Sequence, residues 1–339
     1  MTPMGDSPRN VRVSLGSAIV LGLLRGKLDA EPTTAYLMTY RKGKCDANCG
    51  FCPQARMSRG RSDLLSRVSW PAFDTKIVIN GIERAVESGN IRRVCLQALN
   101  YPEVFKHLTA LIKMVRQKTS VPISVSCQPT DNETIRQLAE AGAERIGIPV
   151  DAATPEVFDK VKGLSAGGPY RWERQFELLN YAVEVFGRGK VSTHLIVGLG
   201  ETEREMVKTI QQCVDIGVLP ALFAFTPISG ALLENKPQPS IQSYRRIQTA
   251  RYLIVNGVAR YEKMHFDECD CLRDFGIDTK ALFKIIQTGE PFRTSGCPNC
   301  NRPYYNEKPS GPIYNYPRPL KDEEIALTLL ELGILREKF

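Results

Sequence analysis

The chain has 339 residues, 42% of them hydrophobic and 24% charged, enough for one large core or one core with a small appended module. Forty-five basic residues against 37 acidic ones leave a formal charge of +8. No block of five or more Lys or Arg occurs, so nucleic acid is not an expected partner, and the composition is that of an ordinary soluble enzyme. The apolar run Ala18–Leu24 is too short to span a bilayer and is closed by Arg25 and Lys27, which argues against a membrane partner. No small-residue cleavage site follows it, so residues 1–30 are expected to be an N-terminal helical segment.

The first candidate strand, Ala35–Tyr40, leads directly into Lys44-Cys-Asp-Ala-Asn-Cys-Gly-Phe-Cys-Pro-Gln54. Cys45, Cys49 and Cys52 supply three thiolates from one short loop, one fewer than closes a [4Fe–4S] cubane, so one iron would stay open to a non-protein ligand. The competing reading is a zinc knuckle, which needs a fourth Cys or His nearby. None occurs in the forty residues that follow. Ten cysteines in such a chain suit metal ligation in a reducing, cytoplasmic setting better than disulfides.

Apolar runs of strand length then alternate with amphipathic helical stretches. Strands are expected at Arg93–Leu96, Ile123–Cys127, Arg145–Val150, Val191–Val197 and Ala221–Thr226. Helices are expected at Phe73–Ser88, Tyr101–Gln117, Asp131–Ala141, Arg171–Phe186 and Glu201–Ile216. The rhythm predicts an α/β fold, a partial or full (β/α) barrel over 31–255, with chemistry at the C-terminal ends of its strands. Asp151 ends one strand, where its carboxylate can accept ribose hydroxyls or simply cap the helix after Pro155. Arg174 is either a carboxylate partner or an exposed helix charge. Gly198 and Gly200 allow close backbone approach to an adenine.

Past residue 255 the rhythm breaks. Tyr261–Phe266 reads as a further strand, Thr279–Gly289 as a helix, and Asp322–Leu335 as a final amphipathic helix. Between the last two lies the turn-rich Arg293-Thr-Ser-Gly-Cys-Pro-Asn-Cys-Asn-Arg-Pro303. Residues 256–339 are therefore read as a C-terminal metal-binding extension. Cys269, Cys271, Cys297 and Cys300 offer four thiolates, which suit either structural zinc or a second iron–sulfur cluster. Ser295 is either a ligand beside them or a turn hydroxyl.

The cysteine spacing, with Phe51 just before the last cysteine, resembles the signature of the radical S-adenosylmethionine (SAM) enzymes. The order of the pieces over residues 30 to 250 looks like biotin synthase and its relatives. That resemblance implies that the open iron chelates SAM, whose reductive cleavage gives a 5′-deoxyadenosyl radical. It also implies that Phe51 seats the adenine, that Asp151 holds the ribose, that the Gly198–Gly200 element lines the site and that Arg174 reaches the SAM carboxylate. Cys95 and Cys127 match two ligands of biotin synthase's sacrificial [2Fe–2S] cluster, but Ser192 stands where the third is expected. Arg293-Thr-Ser295 resembles the Arg-Ser-Ser element of lipoyl synthases, which points to an auxiliary [4Fe–4S] cluster with Ser295 as a ligand. Taken together the chain resembles the split lipoyl synthases, in which two homologous proteins share two sulfur insertions. The partners this implies are an octanoylated acidic carrier (a lipoyl domain or H-protein-like), a paralogous radical SAM protein, and an electron donor such as ferredoxin or flavodoxin.

Overall fold

The computed structural model describes residues 7–333. Its main sheet has eight strands: β1 (Asn10–Val13), β2 (Thr34–Thr39), β3 (Ala72–Asp74), β4 (Arg93–Gln97), β5 (Ile123–Ser126), β6 (Arg145–Gly147), β7 (Val191–Val197) and β8 (Val218–Ala224). Their order is β8-β7-β6-β5-β4-β2-β1-β3. From β2 to β8 every pairing is parallel, and spatial order follows chain order. This is a run of parallel strand–helix–strand units, for which the right-handed crossover is the rule, and it makes a partial (β/α) barrel. β1 pairs antiparallel with both β2 and β3, adding an outer edge that the apolar pattern did not reveal.

The helices form where the sequence marks them. Helix 203–215 starts at a capping box, in which Thr202 accepts from the Glu205 backbone and the Glu205 side chain accepts from Thr202. Such caps contribute about 1 kcal/mol. Its buried Met206, Val207, Ile210 and Cys213 recur at helical spacing. Asp74 caps Thr75–Glu87, so the expected start at Phe73 moves past β3. The N-terminal segment departs further from expectation. It carries β1 and only a six-residue helix, Leu15–Val20, because Leu23 and Leu24 lie beyond the turn at Gly22 and Leu24 is exposed. Tyr261–Lys263 is a short 3-10 helix, and His265–Phe266 pairs with Leu272–Asp274 in a small hairpin. The last helix runs Asp322–Leu332, and Leu335 lies outside the described residues.

The C-terminal extension is packed into the barrel. Phe292, Tyr314, Tyr316 and Leu329 share one apolar cluster with Leu195, Val197, Tyr244 and Ile247. Two buried arginines of helix Ile241–Val255 fix it further. Arg245 donates to the carbonyls of Ile313 (2.6 Å) and Tyr314 (2.8 Å) and pairs with Glu331 (2.7 Å). Arg246 pairs with Glu203, whose carboxylate also accepts from the Leu272 amide at 2.8 Å. Charges this deeply buried persist only when paired and hydrogen-bonded, and these are. No helix among the described residues is long and apolar enough to cross a membrane.

Candidate active site

A cavity enclosing about 1580 Å³ of atom-free space, open mouth included, runs through the barrel lumen. Alternate residues of the strands line it: Tyr36 and Met38 of β2, Cys95 and Gln97 of β4, Ser124 and Ser126 of β5, and Ser192, His194 and Ile196 of β7. The period of two is the pleat itself, with the intervening residues packed outward against helices. Polar side chains at alternate positions of otherwise apolar parallel strands were thus a readable sign of the lumen.

At the C-terminal end of the strands sits the cysteine loop. Cys45, Cys49, Phe51 and Cys52 all face the cavity. Side chains that do not face it pin the loop. Lys44 donates to the carbonyls of Pro53 (2.6 Å) and Gly60 (2.5 Å), and Asn48 donates to Ala166 O at 2.6 Å. The amide of Gly50 donates to Val161 O at 2.7 Å, tying the loop to helix Pro155–Val161. The Asn100 amide, just past β4, donates to Cys45 Sγ at 3.1 Å. Burial is the main cause that raises all three thiols, with Cys52 pushed up to about 12 and Cys49 higher still.

Asp151 also faces the cavity, with φ +70°, a left-handed conformation uncommon outside glycine. The helix that follows is capped by Thr154, so Asp151 is not its N-cap. Its Oδ2 pairs with Lys162 Nζ at 2.6 Å, and the Lys162 side chain is 1% exposed. The ammonium lies 5.1 Å from the centre of the Tyr170 ring. Lys162 and Tyr170 are the residues sequence reasoning missed. A buried lysine carries no local mark distinguishing it from a surface one. A strained backbone at a cavity wall, held by a buried ion pair, is the kind of feature found at ligand sites.

Two expected contributors stand elsewhere. Arg174 is outside the cavity wall, 43% exposed and paired with Glu177 at 2.8 Å one helical turn away, so the expected approach to a SAM carboxylate is not present in this geometry. Gly198 and Gly200, at φ +102° and +138°, also stay out of the lining. Their amides are taken by Glu201, which accepts from Gly198 (2.6 Å), Leu199 (3.0 Å) and Gly200 (3.0 Å). A side chain at Gly198 would collide with Pro239, with a Cβ only 2.9 Å from its ring. These glycines serve the turn, and no amide of it is free for an adenine.

The four C-terminal thiols do not form one site. Cys269 and Cys271 lie in the turn of the small hairpin, outside the barrel wall, where Asp267 accepts from both their amides at 2.9 Å. Cys297 and Cys300 face the lumen instead. The Ser295 hydroxyl is already engaged, accepting from the Leu222 amide on the free edge of β8 at 2.8 Å. The turn chemistry that suggested a common metal site is satisfied separately in each loop.

Comparison with known proteins identifies the family. Residues 41–213 match the family model described as the Radical SAM superfamily. The chain belongs to that superfamily. It is 26% identical over 236 residues to the biotin synthase of Cytophaga hutchinsonii, covering 68% of this chain and 66% of that one. With the biotin synthase of Chlamydia pneumoniae it shares 25% identity over 242 residues, 69% of this chain and 68% of that one. The match thus spans about two thirds of the curated relatives' length. Among solved structures, the FeFe-hydrogenase maturase HydG from Carboxydothermus hydrogenoformans superposes with a TM-score of 0.51 at 16% identity, over 71% of this chain and 55% of that one. Methylornithine synthase gives 0.51 at 14% identity, over 71% and 67%, and both attest the fold alone.

The residues present fit the [4Fe–4S] cluster and SAM that membership implies. Three thiols face one open end of the cavity. The side-chain oxygens of Gln54 and Gln128, both lining it, are buried without any hydrogen-bond partner, so the wall presents acceptors for a ligand's donors.

Proposed function

We propose that this radical SAM enzyme is one protein of a two-protein lipoyl synthase, thiolating a protein-bound octanoyl chain with an auxiliary [4Fe–4S] cluster as sulfur donor. The observation that carries the reading is the content of the lumen. β7 presents Ser192 where a third cysteine would complete a biotin-synthase-like set, while the extension delivers Cys297 and Cys300 into the same cavity.

The chain's own residues have clear tasks. Cys45, Cys49 and Cys52 would hold the first cluster. With SAM bound, it would supply the chemistry that takes hydrogen from an unactivated carbon. Phe51 and Asp151 line the same cavity, and the Lys162 ammonium fixes the carboxylate's orientation. Ile196, Phe223, Phe225 and Tyr305 wall the lumen and exclude water from a radical site. Burial lowers His194 to about 4, so at neutral pH the wall presents an uncharged imidazole.

An acidic carrier displaying octanoyl-lysine suits the +8 charge of this chain. A paralogous radical SAM protein would share the two insertions, and a ferredoxin or flavodoxin would deliver electrons. Incubation with SAM, reductant and octanoyl-lysyl peptide is expected to give 5′-deoxyadenosine and a thiolated peptide. Deoxyadenosine with no sulfur in the acyl chain overturns the assignment. The curated relatives favour a second reading, sulfur insertion into a small free substrate as in biotin synthases. Thiolation of a free acid with the peptide left untouched would select it.

A further inference from the structure

The extension loop enters the barrel from the N-terminal ends of the strands, opposite the Cys45–Cys52 loop. The hydroxyls of Thr33 (2.6 Å) and Thr34 (3.0 Å), at the start of β2, donate to Asn299 O. Arg93, at the start of β4, donates to Pro298 O at 3.0 Å. Asn301 accepts from the Thr33 amide at 3.1 Å and donates to Glu31 O at 2.8 Å. These bonds push Cys297 and Cys300 up into the lumen, and two side chains of the sheet meet them there. Ser124 donates to Cys297 Sγ at 3.4 Å, and the Tyr36 hydroxyl lies 3.4 Å from Cys300 Sγ.

Tyr36, Cys95 and Ser124 are register partners across β2, β4 and β5, on one face of the sheet. Cys95 therefore stands between the residue that touches Cys300 and the residue that touches Cys297, with strands about 4.8 Å apart. All three thiols line the same cavity. Arg93 and Arg302 stand close enough to counter the charge of the set. Among the described residues no three Cys, His, Asp or Glu converge tightly enough for a single ion. Cys45, Cys49 and Cys52 share that spread, and membership of the superfamily assigns a cubane to them.

We propose that Cys95, Cys297 and Cys300 hold a second iron–sulfur cluster in the lower lumen, with its unligated corner open to the cavity that Cys45, Cys49 and Cys52 share. Cys127, Cys269, Cys271 and Ser295 are not its ligands. The proposal names the protein ligands of the sulfur donor invoked above, but the ligand set is measurable without any turnover.

The test uses the full chain, reconstituted anaerobically, with iron and sulfide counts and Mössbauer spectra. A variant lacking the first site, Cys45→Ala/Cys49→Ala/Cys52→Ala, is expected to keep about four irons per chain as one cubane. Adding Cys95→Ser, Cys297→Ser or Cys300→Ser should remove or convert that cubane, while adding Cys269→Ala/Cys271→Ala should leave it whole. Circular dichroism of each variant separates cluster loss from failure to fold, and Cys127→Ala gives a lumen control that keeps its iron. Retention of the full cubane in folded Cys95→Ser overturns the proposal, as does its loss in folded Cys269→Ala/Cys271→Ala. Zinc in place of iron also overturns it. A correctly ligated cluster with no sulfur transferred to octanoyl-lysyl peptide would leave this inference intact and overturn the function.

Discussion

Cys45, Cys49 and Cys52 come from one short loop beyond β2, while Cys95, Cys297 and Cys300 come from a strand and a loop at the other end of the chain. The upper set is contiguous in sequence and has some local bonds, such as the Cys52 amide donating to Cys49 O at 3.0 Å, though its loop is also tied to Ala166 and Val161. The lower set depends on contacts such as Ser124 to Cys297, 173 residues apart, and Tyr36 to Cys300, 264 apart. A site whose three ligands share one short loop keeps its ligands together even when distant contacts loosen. A site assembled from distant pieces exists only while the extension is docked, so in this protein the second site reports on the tertiary fold.

The largest expected effect isolates the upper set. Cys49→Ala should bring SAM cleavage to background and remove roughly four irons per chain, with the remaining iron unaffected. Deoxyadenosine release under strong reductant and iron counting check it. Loss of all iron would show that the two sites form together.

The same contrast explains what the sequence showed. The six parallel strands were legible because strands buried on both faces read as apolar runs. β1 and β3 were not, being short antiparallel strands at one side of the sheet with little periodicity to detect. The upper thiols were legible because their spacing is contiguous. The lower site was legible only in part: Cys297 and Cys300 were expected as metal ligands and Cys95 as a match to a biotin synthase ligand, but their grouping shows only once Tyr36 and Ser124 are known to flank Cys95 in the ladder. The Gly198–Gly200 element looked like a nucleotide contact, since a sequence cannot show that Glu201 has already taken its amides.

The Asp151–Lys162 pair is the next largest lever. Lys162→Met leaves a buried carboxylate without its cation and should cost about 3–5 kcal/mol in urea unfolding of the metal-free protein. Asp151→Leu/Lys162→Met should recover most of that loss while still failing to bind SAM. Recovery of stability and SAM affinity together would remove Asp151 from the ligand site.

A pH series separates the extension from the barrel wall. Burial raises Glu307, in the extension, from 4.5 to about 8, and lowers His194, on β7, from 6.5 to about 4. Between pH 4.5 and 6.5 folded Glu307 keeps a proton that the unfolded chain releases, whereas folded His194 lacks one that the unfolded chain takes up. The two nearly cancel there. From pH 6.5 to 8 only Glu307 acts, so stability should fall by roughly 2 kcal/mol. Glu307→Gln should flatten that fall in thermal melts, and His194→Gln should leave it in place while extending it to lower pH, so that stability falls with rising pH from about 4.5 onward.

The smallest effect falls on the outer cysteines, and it bears most directly on the comparison. Cys269 is exposed, and the charges that act most on Cys271 are those of Glu203, Asp267, Arg246 and Arg273. The turn that carries them is held by Asp267 and by the Arg204–Asp270 pair, and neither needs a sulfur atom. Cys269→Ala/Cys271→Ala should therefore change stability by less than about 0.5 kcal/mol and leave the iron content unchanged. Asp267→Ala, by contrast, frees two amides and the Arg273 guanidinium at once and should loosen the hairpin measurably in hydrogen exchange. If the cysteine pair mattered more than the aspartate, the hairpin would be built around a metal, and the division into one local and one tertiary thiol site would have to be redrawn.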